Sequence, residues 1–378
     1  MIKLGSITPL LFSGDGNYCL KFHFNGISSA TLINMKTGEN QKITLTSSIW
    51  ACDISENGDI VASIDEKCNY WVTDVKNNRT QKIMNLDTQL GISSNKIDYI
   101  NVFLVSDETK ILSFVHYSQY KPKEECQYII ITDIESGESN ILFNISNCWC
   151  SHVQKNCNDE FILFLYFRNQ KTEKILFSKN TLVIAKYKNL VESSEFEYEY
   201  SKDFGISNWE FKHENFSLNS KFLPVIRLKG NLPSVYGEWC FLDYENKKSI
   251  INKNAFYYKK SLNGISWLPI ENWFLIWSKK EECYYICDVL TGEKIAKITF
   301  DDFDVNVTRY YRDGREITKT IASKKDFDFT NKSTPIDAIY TAGKNKEFLI
   351  YTNHKKEYAQ DINVLLSFLK VEDKTGDG

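Results

Sequence analysis

Short apolar and aromatic runs recur along the chain, each entered through a tight polar turn. The turn reads Ser13-Gly14-Asp15-Gly16-Asn17 before Tyr18-Cys19-Leu20-Lys21-Phe22, and Ser55-Glu56-Asn57-Gly58-Asp59 before Ile60-Val61-Ala62-Ser63-Ile64. Further copies are Ser106-Asp107-Glu108-Thr109, Lys155-Asn156-Cys157-Asn158-Asp159, Leu218-Asn219-Ser220-Lys221, Pro269-Ile270-Glu271-Asn272 and Gly343-Lys344-Asn345-Lys346. Polar turns feeding β-prone runs such as Phe161–Leu165 and Phe274–Trp277 predict hairpins. Seven of them are present.

A second turn follows the next strand in most of these units. It reads Asn34-Met35-Lys36-Thr37-Gly38-Glu39, Asp74-Val75-Lys76-Asn77-Asn78-Arg79, Asp133-Ile134-Glu135-Ser136-Gly137-Glu138, Asp243-Tyr244-Glu245-Asn246-Lys247-Lys248 and Asp288-Val289-Leu290-Thr291-Gly292-Glu293. Gly or Asn at the fifth position supplies a positive φ, and the leading carboxylate or amide can bond backbone further along the turn. Helical periodicity is ambiguous near Asn180–Glu192 and Gln360–Lys370 and otherwise hard to find.

Hairpins spaced by roughly forty to seventy residues match four strands plus loops. The pattern therefore predicts an all-β fold, a seven-bladed β-propeller forming a single domain over 1–378. Approximate blades are 13–45, 50–86, 97–145, 148–201, 208–253, 264–301 and 334–378, with 1–12 completing the last and 302–333 inserted between blades. Closure is expected from the two ends. Val371–Asp377 copies the turn that leads into Lys294–Ile298, and Met1–Leu4 has the character of the strand that should follow. A two-domain β-sandwich also gives short strands at regular spacing, but it has no reason to repeat one turn motif along the chain.

The strand before the second turn carries a family likeness. Val72-Thr73-Asp74-Val75, Ile131-Thr132-Asp133-Ile134 and Ile286-Cys287-Asp288-Val289 resemble the third strand and turn of WD40 repeats. A Trp normally precedes that Asp; Thr73, Thr132 and Cys287 stand there instead, and the opening Gly-His pair is absent. The resemblance implies a rigid, usually non-catalytic platform for protein partners. It also implies that apolar packing through residues such as Phe114, Phe164 and Trp277 replaces the usual buried polar network.

Composition narrows the partners. A net charge of −3 and a pI near 6.1 argue against a general polyanion binder, so direct nucleic-acid binding is not expected. No apolar run reaches the roughly 18–20 residues that span a bilayer. Met1–Ile7 lacks the apolar core of a signal peptide, and the ten Cys form no regular framework. These features lead to the expectation of reduced thiols in a cytoplasmic protein without membrane contact or cofactor.

Candidate chemistry is sparse. Cys148-Trp149-Cys150-Ser151-His152 is the densest set of soft ligands. On a strand Cys148, Cys150 and His152 would share a face, and with Cys157 they make zinc the alternative to plain packing. The spacing matches no common zinc module, and no metal is the leading expectation. The five His (His23, His116, His152, His213, His354) sit in different blades, and no nucleophile motif or phosphate-binding loop occurs. The alternative functions are a propeller enzyme, hydrolase or lyase, with a central-channel site, and a structural subunit of a larger complex.

The insertion at 302–333 is the strongest candidate for partner binding. Arg309, Tyr310, Tyr311, Arg312 and Arg315 surround Asp313-Gly314, which suggests a protruding hairpin. Arg and Tyr offer large contact area with directional hydrogen bonds. The competing reading is a hairpin whose aromatics pack on the propeller edge. Glu192–Tyr200 alternates Glu with aromatics and is expected as the outer strand of the fourth blade.

Overall fold

In the computed structural model the repeated runs are antiparallel strands. The structure describes residues 1–5, 10–22, 29–46, 48–105, 108–120, 123–146, 148–155, 161–167, 182–187, 197–200, 209–210, 221–229, 236–243, 245–246, 248–251, 265–270, 272–278, 280–301, 303–327, 336–343, 345–353 and 356–370. They fall into two compact units, one of Met1–Ile7 with Trp209–Gly378 and one of Thr8–Asn208. Strand β1 (Ile2–Gly5) belongs to the former.

The unit of Thr8–Asn208 holds four sheets of four strands, each in sequence order. The first is β2–β5 (Leu10–Phe12, Tyr18–Phe22, Ser29–Asn34, Asn40–Thr44). The second is β6–β9 (Ile49–Ile54, Ile60–Asp65, Asn69–Asp74, Arg79–Asn85), followed by a short helix α1 (Leu86–Leu90). Next come β10–β13 (Ile97–Val105, Lys110–Tyr120, Lys123–Asp133, Ser139–Ser146) and β14–β17 (Cys148–Lys155, Phe161–Phe167, Leu182–Tyr187, Glu197–Tyr200). Apolar clusters lie between successive sheets. Leu20, Leu32 and Ile43 meet Ile54 and Val61; Ile64, Tyr70 and Met84 meet Ile100, Val102 and Ile111; Phe114 and Ile129 meet Phe161 and Leu163.

The other unit holds β18–β21 (Trp209–Glu210, Phe222–Lys229, Tyr236–Asp243, Lys248–Ile251). Then comes a six-stranded sheet, β22–β27 (Ser266–Trp267, Trp273–Ser278, Cys283–Asp288, Lys294–Asp301, Asp304–Tyr310, Glu316–Ala322). The last sheet is β28–β30 (Ala338–Ala342, Phe348–Asn353, Lys356–Asp361), with β1 added beside β30. Helix α2 (Asn363–Leu369) follows. Phe222 and Phe241 pack on Trp267 and Phe274, with Phe241–Phe274 centroids 4.8 Å apart.

Among the described residues six sheets have the four-stranded blade form and one has six strands, which corrects the expected seven-bladed count to six such blades. The segment 302–333, expected as an insertion between blades, supplies β26 and β27 and widens an existing sheet. The N-terminal boundary also moves: only Ile2–Gly5 joins the last sheet, while Leu10–Phe12 opens the first.

The two repeated turns prove to be one device. Ser13 Oγ accepts from Tyr18 N–H at 2.9 Å, and Ser55 Oγ from Ile60 N–H at 2.9 Å. In the second turn Asp74, Asp133 and Asp288 each accept from the N–H three residues on, at 2.9 Å. The fifth position has positive φ in Gly38, Asn78, Gly137 and Gly292, as its residue types require. The residue after the Asx then donates its N–H back to the first turn of the same sheet. The bonds are Met35 to Asn17, Val75 to Asp59, Ile134 to Thr109, Val289 to Asn272 and Ile362 to Glu347, all between 2.7 and 3.0 Å.

That last bond corrects the terminal expectation. The counterpart of Asp288-Val289 in the final sheet is Asp361-Ile362, and α2 begins there where other sheets start a fourth strand. Val371–Asp377, read as that turn, lies outside the described residues. Antiparallel pairing of Ile2 with Ala359 and Lys3 with Tyr358 puts β1 in the fourth-strand position. Glu197–Tyr200 is the outer strand of its sheet, as its alternation predicted.

Candidate functional site

The hairpin β26–β27 grows out of the six-stranded sheet at β25, with Ile298 opposite Val307 and Val307 opposite Lys319. β-prone residues on both arms and Asp313-Gly314 at the bend make it local. Tyr311 N–H donates to the Arg315 carbonyl at 3.0 Å, and Gly314 N–H to the Tyr311 carbonyl at 3.0 Å. Gly314 has φ +85, which a side chain would strain. Asp313 accepts from Arg315 N–H at 3.0 Å and takes the Arg315 Nε as well. Those bonds hold its carboxyl below the usual range.

Pair by pair, the register assigns side chains to two faces. One face carries Val305, Val307, Arg309, Ile317 and Lys319; the other carries Asn306, Thr308, Tyr310, Glu316, Thr318 and Thr320. On the first face Tyr311 is stacked by two guanidinium groups, with Arg309 Cζ 4.5 Å and Arg315 Cζ 5.0 Å from the ring centroid. Each such contact contributes about 0.5–1 kcal/mol at an exposed position. On the second, Thr308 and Thr318 hydroxyls meet at 2.9 Å, and Thr320 donates to Asn306 at 2.6 Å.

The five sequence-selected residues therefore separate. Arg309, Tyr311 and Arg315 form one cation–aromatic group, and Arg312 is exposed at the tip. Tyr310 points away from them, half-buried against the cluster of Cys283, Tyr285 and their neighbours. Burial pushes its hydroxyl pKa up. Beneath the hairpin, α2 residues Leu365, Leu366 and Phe368 share a core with Val305, Val307 and Ile321.

Sequence reading missed a second cluster in the same sheet. Glu281 accepts from the Tyr285 hydroxyl and lies 3.5 Å from Lys294 Nζ and 3.8 Å from Lys297 Nζ. Lys294 Nζ also sits 3.7 Å from the Tyr285 ring centroid. The Tyr285 hydrogen bond, with help from both lysines, holds the Glu281 carboxyl below its usual range. No local motif announces the group, because its members come from one turn and two strands.

The zinc alternative rested on strict alternation. The β14–β15 register shifts between Cys150 and His152, since Cys150 faces Leu165 and His152 faces Phe164. That bulge interrupts the alternation meant to put Cys148, Cys150 and His152 on one face. Their side chains, and the whole of Cys157, lie outside the described residues. Among the described cysteines, burial pushes the Cys68 and Cys287 thiols up to about 12, far from the thiolate a nucleophile needs near neutral pH. No helix among the described residues is long and apolar enough to cross a membrane.

No family model matches the chain, and no curated protein matches it. Solved structures do. Oligogalacturonate lyase in complex with manganese is 10% identical, covers 94% of this chain and 89% of its own, and gives a TM-score of 0.53. Hydrazine synthase of Kuenenia stuttgartiensis is 11% identical over 94% of this chain and 96% of its own, at a TM-score of 0.50. The chain has a β-propeller fold. The Cps50 (Swd1) beta-propeller domain of Myceliophteria thermophila is also similar, at 8% identity over 84% of this chain and 98% of its own, with a TM-score of 0.44. At these identities the likeness is one of fold alone.

Proposed function

We propose that this propeller is a non-enzymatic interaction module that binds a protein partner through the β26–β27 hairpin. In this reading the protein is a cytoplasmic scaffold or sensor subunit of a larger complex. The observation that carries it is the Tyr311 ring in contact with the guanidinium groups of Arg309 and Arg315, beside exposed Arg312, on a hairpin beyond the blade's four strands. Stacking fixes these side chains before a partner arrives, which lowers the ordering cost of binding. Their types are those enriched at binding hot spots.

The test is affinity capture from the native source with wild type and the double variant Tyr311→Ala/Arg312→Glu, read by mass spectrometry. Loss of the same captured proteins at unchanged melting temperature supports the assignment; full retention removes it. Tyr310 is left intact because its packing against the core would mix stability with binding.

The alternative reading is a hydrolase or lyase with a site at the channel mouth. Propellers named as enzymes stand among the fold neighbours, at identities that carry the fold only.

A further inference from the structure

The hairpin ends the six-stranded sheet in an open edge. Among the described residues strand β27 pairs with β26 alone, and its first five residues, Glu316 to Thr320, are all exposed. The Tyr311–Arg315 bond fixes which backbone groups face outward. Alternation makes Arg309–Ile317 and Val307–Lys319 the hydrogen-bonded pairs and Thr308–Thr318 a non-bonded pair. The close approach of the Thr308 and Thr318 hydroxyls, 2.9 Å, fits that assignment. Glu316, Thr318 and Thr320 therefore turn their N–H and C=O groups away from β26. The row stops at Ile321, whose carbonyl accepts from Gln360 at 3.1 Å.

Side chains along this edge carry a charge code. Arg315, Ile317 and Lys319 lie on one face, so an aliphatic residue stands between two cations. Ile317 is 42% exposed, one of four large hydrophobics so exposed among the described residues. Arg309 lies on the same face one strand in, and Asp313 takes one edge of Arg315. Glu316, the one acidic residue of the edge strand, is on the opposite face with Thr318 and Thr320. Natural edges that must stay unpaired are blunted by Pro, bulges or charged side chains, and here Glu316–Thr320 has no Pro and no bulge, its charges being Glu316 on one face and Lys319 on the other.

We propose that β27 takes up an extended, acidic peptide segment of a protein partner as an added antiparallel strand, an acid–x–aliphatic–x–acid pattern set against Arg315, Ile317 and Lys319. Backbone bonds from Glu316, Thr318 and Thr320 supply affinity, and the two carboxylates and the aliphatic side chain supply selection. This deepens the partner-binding reading and rests on it.

The probe is a fluorescein-labelled peptide Ser-Glu-Thr-Val-Thr-Glu-Ser, followed by fluorescence anisotropy on the full chain. Wild type binds it at least about tenfold more tightly than the same peptide with Lys for Glu, and binding weakens as salt rises. Thr318→Pro removes an outward N–H without touching the β26 ladder, and binding falls by at least about tenfold. A peptide N-methylated at its two Thr nitrogens, which face Glu316 and Thr318, loses binding to wild type, a control that needs no protein variant. Lys319→Glu reverses the preference toward the Lys peptide. Binding of the Glu peptide that survives both Thr318→Pro and N-methylation overturns the proposal. So does a wild-type dimer, seen by sedimentation velocity, that Thr318→Pro converts to monomer, since a second copy would then hold the edge. If the acidic probe fails while the Tyr311/Arg312 variant still loses captured proteins, the edge falls and the hairpin reading stands.

Discussion

Asp65 offers the sharpest test of how a blade is held without the Trp-centred network of WD40 repeats. It closes the β7–β8 turn at 6% exposure. Its carboxylate accepts from Lys67 N–H at 2.9 Å, Asn69 N–H at 3.0 Å, Asn69 Nδ2 at 2.9 Å and Trp71 Nε1 at 2.9 Å. Bonds to a charged acceptor contribute roughly 1.5–3 kcal/mol each, but the half-exposed donors would regain water, so Asp65→Ala should cost about 2–3 kcal/mol in total. Asp65→Asn keeps the shape but turns an NH2 group toward the Trp71 and Asn69 donors, and should cost about 1–2 kcal/mol. Burial works to raise this carboxyl, yet the Asn69, Trp71 and Lys67 donors win and hold it below the ordinary value. A depressed folded pKa stabilises the protein above the unfolded value of about 3.9 and loses that contribution as pH falls through the folded value. The gap between wild type and Asp65→Ala should therefore be widest near neutral pH and narrow in acid. Urea unfolding at several pH values, followed by tryptophan fluorescence, reads both. A neutral-pH cost under about 0.5 kcal/mol, or a gap that widens in acid, would refute the reasoning.

Two glycines separate strain from crowding. Gly58 has φ +80 and a Cβ there would come 2.5 Å from the Tyr18 ring, whereas Gly314 has φ +85 and open space. Gly314→Ala should cost about 1 kcal/mol and Gly58→Ala about 2–4 kcal/mol, compared by thermal melts. Removing residues 1–5 should lower the melting temperature and raise hydrogen exchange in Lys356–Asp361, because β1 covers that strand and Leu4 is buried. Purified protein should contain less than stoichiometric zinc by elemental analysis, and a chelator should leave its melting temperature unchanged. One bound zinc per chain lost with Cys150→Ser would reinstate the cysteine–histidine site.

What the sequence makes legible is what local chemistry enforces. The Ser, Asx and Gly positions of both turns are needed by bonds spanning a few residues, so their spacing announces the hairpins. The docking of one turn on the other joins residues some distance apart through main-chain atoms, as in Val289 to Asn272, and leaves almost no side-chain trace. For that reason Val371–Asp377 looked like the closing turn while Asp361-Ile362, which has no Gly after it, did not. The bulge at Ser151 is likewise silent, since one extra residue leaves composition and hydrophobicity untouched. Buried Thr73 and Thr132, at the position of the missing Trp, bond across the sheet to Thr80 at 3.0 Å and Ser139 at 2.8 Å. Polar links therefore persist within these blades, where the resemblance led to an expectation of apolar packing.

One departure from the repeat accounts for the candidate site as a whole. After Asp361-Ile362 the chain makes α2 in place of a fourth strand, and this has two consequences in the same unit. The edge of β30 is left for β1, and an apolar helix becomes available to cover Val305, Val307 and Ile321. A two-stranded extension is marginal unless something packs on it, so β26–β27 depends on that helix. Strand direction then fixes where the tip goes. β22, β24 and β26 all run toward one end of their sheet, so Tyr311–Arg315 emerges beside the docked turns at 269–272 and 288–293. Leu366→Ala, which hollows the core under the hairpin, should cost about 2–4 kcal/mol. It should also raise hydrogen exchange in Glu316–Ala322 well before exchange rises in the β23–β24 pair. Equal loosening of both would mean that the hairpin stands without α2, and the link between the altered last blade and the binding edge would fail.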